Sequence, residues 1–149
     1  MKHEKLFLML KGQAENLRVF LEIIKLQQES LVNNNSENLD VSVSNEEQLF
    51  LEINQLQKSI IKEIKRIDAD EQLELREYKL SELVRVFART SEPDLKKIIA
   101  VRKKITEYIK EISRLNFQNS YLIDHSRQLI REVITRAAKD KNVIFDRRV

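Results

Sequence analysis

Between Pro93 and Lys141 the apolar residues return every seven positions, a repeat that requires one long helix. Leu95, Ile109, Ile123, Ile130 and Ala137 fall on one seam position, and Ile98, Ile105, Ile112 and Val133 on the other. Val101, Tyr108, Leu115, Leu122 and Leu129 repeat with the same period beside them, so the stripe is wider than a two-stranded coiled coil uses and predicts packing into a bundle. At about 1.5 Å per residue this helix spans ~70 Å, which other helices must cover.

The rest of the chain points the same way. One Gly and one Pro in 149 residues leave almost no turn vocabulary, so neither a many-stranded fold nor a βα fold with Gly-rich loops is served. The expected fold is all-α: an elongated antiparallel helical bundle or coiled coil of three to four helices, with the long helix last. A single domain over residues 1–149 follows from the length.

The first helix is predicted over about residues 5–32, with Phe7, Ala14, Leu21 and Gln28 on one heptad column and Leu10, Leu17, Ile24 and Leu31 on the other. A further strip of Val19, Ile23 and Leu26 makes this helix apolar on two faces, as in a central or shared helix. Asn33 to Ser44 is polar and reads as a loop with at most a turn of helix, because Asn and Ser offer the backbone competing hydrogen bonds. Ser44-Asn45-Glu46-Glu47 has the form of a capping box and opens a second helix, about 44–68. A third is expected over about 72–89, with Leu80, Leu83, Val84 and Phe87 on its apolar face. Pro93 suits a first helical turn with Ser91 as its cap, and the fourth helix runs over about 93–141. Residues 142–149 lose periodicity and read as a tail.

Several chemistries are excluded by composition. No Cys means no disulfide and no thiolate nucleophile or ligand. A single Gly forbids a Gly-rich phosphate loop. His3 and His125 are far apart in sequence and neither sits in a Glu-x-x-His motif, so no metal site is expected; no cofactor, no small-molecule substrate and no enzymatic activity are expected either. No stretch approaches the roughly 20 apolar residues of a membrane span, and the start of the chain is not a signal-peptide core, so the expectation is a cytoplasmic protein. The net charge is +3, but acidic and basic residues alternate. The one compact basic cluster, Lys96, Lys97, Arg102, Lys103 and Lys104, reads as a solvated helix face with Arg102 on a seam position; binding to nucleic acid through it is the weaker reading.

Polar residues interrupt the long helix at Asn116 and Asn119, assigned one to each seam position, and again at Ser126. Buried Asn fixes register, or else marks a surface that receives a partner; both readings stand on the pattern alone. Phe117 and Tyr121 lie one turn apart facing away from the seam, as in a docking patch.

The stretch Leu115-Asn116-Phe117-Gln118-Asn119-Ser120-Tyr121-Leu122-Ile123, preceded by a long amphipathic helix and followed by Leu129, Ile130 and Val133, resembles the C-terminal signature of FlgN-type flagellar export chaperones. The N-terminal layout is similar too: a first helix reaching Leu31, a polar interval, then a helix containing Glu47, Leu49 and Leu56. The resemblance implies a non-enzymatic cytoplasmic chaperone that binds hook-filament junction proteins and delivers them to the export apparatus. Cargo would be held by the C-terminal helix, through Leu115, Asn116, Phe117, Asn119, Tyr121, Leu122, Ile123, Leu129, Ile130 and Val133. From another class, a structural coiled-coil protein that self-associates into a homo-oligomer fits the same periodicity.

Overall fold

The computed structural model describes residues 2–141; beyond His125 it describes the helical backbone and the side chains of Gln128, Arg131 and Thr135. Among the described residues there are four helices: α1 (Glu4–Val32), α2 (Ser36–Glu71), α3 (Leu80–Thr90) and α4 (Leu95–Lys141). The expected tail, 142–149, lies outside them.

The joint between α1 and α2 is far shorter than the polar composition indicates. Asn34 takes a left-handed φ of 53°, and the amides of Asn34 and Asn35 donate back to the carbonyls of Leu31 and Ser30 at 3.4 and 2.9 Å. This is a Schellman stop, which Asn tolerates almost as Gly does. Asn35 then caps the next helix by accepting the amide of Asn38 on its side-chain oxygen at 3.1 Å. Helix α2 therefore begins at Ser36, not Ser44, and the Ser44-to-Glu47 box, like Val41 and Val43, is helix interior. The early turns of α2 hold to α1 through polar groups: Ser42, Gln27 and Ser30 are buried, and Gln27 Nε2 donates to Glu46 Oε2 at 2.6 Å.

At its other end α2 runs to Glu71 and stops at Gln72, left-handed at φ 53°. The expected helix over 72–89 is only α3. Residues 72–79 are non-helical, with Leu73 and Leu75 laid against the core and the Leu75 amide donating to Asp68 Oδ1 at 3.2 Å. The strongly amphipathic α3 buries Leu83 and Phe87, then ends at Ser91 with φ 55°. Ser91 thus terminates α3, and α4 starts at Leu95 after Pro93 and Asp94.

Helix α1 is the centre of the bundle. It runs antiparallel to α2, as the pairs Gln13–Ile53 and Lys5–Glu63 require, and parallel to α4, as His3–Asp94 and Asn119–Ile24 require. Helices α2 and α4 meet α1 along its length but scarcely meet each other. The two buried faces of α1 come from three columns: Ala14 and Leu21, Leu10, Leu17 and Ile24, and Leu6, Gln13, Phe20 and Gln27. The Val19, Ile23 and Leu26 strip is at most half-covered, with Leu26 exposed.

Two apolar clusters fill the interior. One joins Leu6, Leu10, Ile60, Ile64, Ile67, Leu83, Phe87, Ile98 and Val101 at the α3 end; the other joins Leu17, Phe20, Leu21, Ile24, Ile112 and Leu115 farther along.

Candidate functional site

The seam of α4 is set by which columns face α1. Ile98, Val101, Ile112, Leu115 and Asn119 are buried, with Ile105, Tyr108 and Leu122 half-buried between them, an unbroken three-four alternation. The column of Leu95, Ile109, Asn116 and Ile123 lies beside the seam. Its first member is covered near α3, whereas Ile109 is 48 % exposed. Assigning Asn116 to the seam is therefore corrected: its side chain faces outward, and only Asn119 interrupts the packed stripe. Arg102, on the same flanking column, is half-buried and not on the seam.

Asn119 is 4 % exposed and donates through Nδ2 to the Ile24 carbonyl at 3.2 Å, while its Oδ1 has no hydrogen-bond partner among the described residues. It pins α4 to α1 in register. Leu115 belongs to the second core cluster. These two residues shape the site from inside and offer no surface to a partner.

The neighbouring residues do form a surface. Phe117 is 78 % and Tyr121 67 % exposed, and with Leu122 they line an open, almost wholly apolar cleft closed on the α1 side by Gln28 and Gln118. Gln28 Nε2 donates to Gln118 Oε1 at 2.9 Å, which holds the two polar side chains to each other and leaves the aromatic faces free. Tyr121 stacks nearly parallel to His125 with ring centroids 6.2 Å apart. Ile123 is half-buried beside this patch. Leu129, Ile130 and Val133 continue α4 beyond it as helical backbone, and their side chains lie outside the described residues. Upstream, the Arg114 guanidinium holds the exposed Glu111 carboxyl below its ordinary pKa, through their hydrogen bonds and charge. Such an i,i+3 pair reinforces the helix.

A second cleft lies lower on the α1–α4 side. Its floor is Phe7, Ala14, Ala100, Val101 and Tyr108, and Lys11, Lys97 and Lys104 rim it, with the Lys11 ammonium 5.6 Å from the Phe7 ring centroid. The basic cluster is thus split: two of its lysines edge an apolar floor while Lys96 and Lys103 point to solvent. A phosphate-tracking groove would have a continuous basic lining.

One constellation has no counterpart in the sequence pattern. His3, Glu71 and Glu92 meet at the base of the bundle, the one group among the described residues whose His and carboxylate atoms converge as metal ligands do. Spacing gave no sign of it, since the three come from the start of α1, the end of α2 and the turn before α4.

A central helix flanked by two longer ones, the last of which carries an exposed aromatic ridge, defines an all-α helical bundle, and no helix of the described residues is long and apolar enough to cross a membrane. The family model described as FlgN protein matches residues 1–142, and the chain belongs to the FlgN family. That membership implies a flagellar export chaperone role, in a family not known for enzymatic activity. No curated protein and no solved structure matches the chain.

Proposed function

We propose that this protein is a cytoplasmic flagellar type III export chaperone that binds hook-filament junction proteins and brings them to the export apparatus. Cargo docks on the C-terminal half of α4, over Phe117, Tyr121, Leu122 and Ile123, with Leu129, Ile130 and Val133 extending the contact. The observation that carries this reading is the pair of largely exposed aromatics bordering an apolar cleft, within the stretch that bears the family signature. Leaving Phe117 and Tyr121 in water is unfavourable, and an amphipathic helix from the cargo would cover both as a helix laid in a groove. Asn116 faces out on the ridge's edge and is placed to hydrogen-bond that helix; Asn119 and Leu115 hold α4 in place beneath it.

The test is capture of tagged protein from its own cells, comparing wild type with Phe117→Ser/Tyr121→Ser. Hook-filament junction proteins should be recovered by the wild type and lost by the double variant, whose circular dichroism stays that of the wild type. Equal recovery by both would rule out this surface, and recovery of no junction protein by either would rule out the cargo.

A further inference from the structure

The end of the bundle opposite the aromatic ridge carries a cluster that the chaperone reading does not use. His3 precedes α1, Glu71 is the last residue of α2, and Glu92 lies in the turn between α3 and α4. The His3 imidazole is 3 % exposed and stacks on Phe87 at 4.9 Å between centroids. Its Nε2 stands 3.4 Å from Glu71 Oε2 and 3.4 Å from Glu92 Oε2, yet makes no hydrogen bond to either. Glu71 Oε2 and Glu92 Oε1 are likewise buried without a hydrogen-bond partner among the described residues. The unpartnered His3 Nε2 and Glu71 Oε2 face each other, Glu92 Oε2 stands equally near that nitrogen, and the unpartnered Glu92 oxygen belongs to the same carboxylate; buried polar atoms so placed are completed by a common partner.

The spacing identifies that partner's chemistry. In a tetrahedron with metal–ligand distances of about 2.05 Å the ligand atoms stand ~3.3–3.4 Å apart, whereas direct hydrogen bonds to carboxylates close to ~2.8 Å. The three ligand atoms lie within 4.8 Å of one another, and both His3 separations are at the tetrahedral edge. We propose that His3 Nε2 and one oxygen each of Glu71 and Glu92 bind a divalent transition metal of the zinc type, with water in the fourth position. Imidazole selects against magnesium and calcium, which prefer all-oxygen shells. The surroundings hold the ligands ready: Lys2 Nζ meets the other Glu71 oxygen, Oε1, at 2.6 Å, and Asp94 Oδ2 accepts the His3 amide at 3.1 Å. Two carboxylates brought together under cover gain a counter-charge when the ion binds. Because the ligands come from the start of α1, the end of α2 and the turn before α4, the ion ties three parts of the fold together.

The full-length protein, stripped with chelator, is titrated with zinc chloride by calorimetry and thermal melting, and with cobalt(II) chloride by visible absorption. Expected are one equivalent bound, a Tm rise of roughly 5–10 °C at a hundredfold excess over Kd, and an intense tetrahedral cobalt band. Glu92→Gln and His3→Phe, the latter keeping the stack on Phe87, should abolish the Tm response. Should either variant fail to fold, the cobalt band of the wild type decides, since it reports the ligand geometry directly. Absence of both zinc binding and the cobalt band in the wild type overturns the proposal. So does an unaltered zinc response in folded variants.

Discussion

Asn119→Leu tests both the register of α4 and the division between what lies under the aromatic ridge and what lies on it. Leu has the branched shape of Asn and completes the column of Ile98, Ile105 and Ile112. Removing the unpaired, buried Oδ1 relieves a penalty of about 1–3 kcal/mol, and losing the Nδ2 bond to the Ile24 carbonyl forfeits about 0.5–1.5 kcal/mol. Burying the two methyl groups adds about 1–2 kcal/mol. The net expectation is stabilisation by about 2 kcal/mol, or a Tm higher by roughly 4–8 °C for a chain of this size. Urea unfolding followed by circular dichroism measures it, with an unchanged slope showing that only stability has moved. Asn116→Leu, on the exposed flank, should stay within about 0.5 kcal/mol of wild type. An Asn119→Leu midpoint at or below that of the wild type would refute the packing argument. Loss of cargo capture by this variant with the fold intact would place Asn119 in the contact itself.

Leu115→Ala should destabilise by about 2–5 kcal/mol in the same assay, and Phe117→Ser by less than about 0.5 kcal/mol, because only the first empties a packed site. Gly12→Ala should stabilise by about 0.5–1 kcal/mol: the position is helical, and the added Cβ would sit 3.6 Å from Leu56 Cδ2, an ordinary contact. The buried Glu63 carboxyl is held below its ordinary pKa by hydrogen bonds from Arg66, with burial opposing and Lys5 assisting. A depressed folded pKa contributes stability above the unfolded value of about 4.3, lost as pH falls through the folded value. Glu63→Gln should therefore narrow the gap between urea midpoints at neutral pH and at about pH 3; an undiminished gap would remove Glu63 as a source of acid sensitivity.

The helical architecture was readable because Leu and Ile recur with a helical period in a chain with almost no Gly or Pro. What misled was polarity. Asn33 to Asn35 reads as the start of a long loop, yet Asn34 and Asn35 are a stop and a start placed side by side, and Gln27 and Glu46 make the contact that apolar residues would have advertised. Leu73 and Leu75 looked helical because they are apolar, but they cover the core from a non-helical segment. In α4 three neighbouring columns are apolar, and the choice among them is made by where α1 lies, which no local pattern contains; the pattern alone therefore puts Asn116 and Ile109 inside, where both are exposed. Phe117 and Tyr121 were placed on the outer face, because that reading depends only on spacing within one helix. The His3, Glu71 and Glu92 cluster required the fold to bring together residues separated by most of the chain.

The parallel pairing of α1 with α4 also fixes an order of assembly. Contacts between α1 and α2 close across a joint of three residues, whereas His3–Asp94, Gln28–Gln118 and Ile24–Asn119 span 91, 90 and 95 positions. Loop closure grows with the logarithm of length, so the α1–α2 hairpin forms early and α4 docks late. On the ribosome, at about 5–20 residues per second, the second face of α1 stays uncovered for several seconds after the hairpin has emerged. The helix that carries the aromatic ridge is thus the last to be seated, and mutations in its seam should act mainly on the unfolding rate, leaving hairpin formation unchanged.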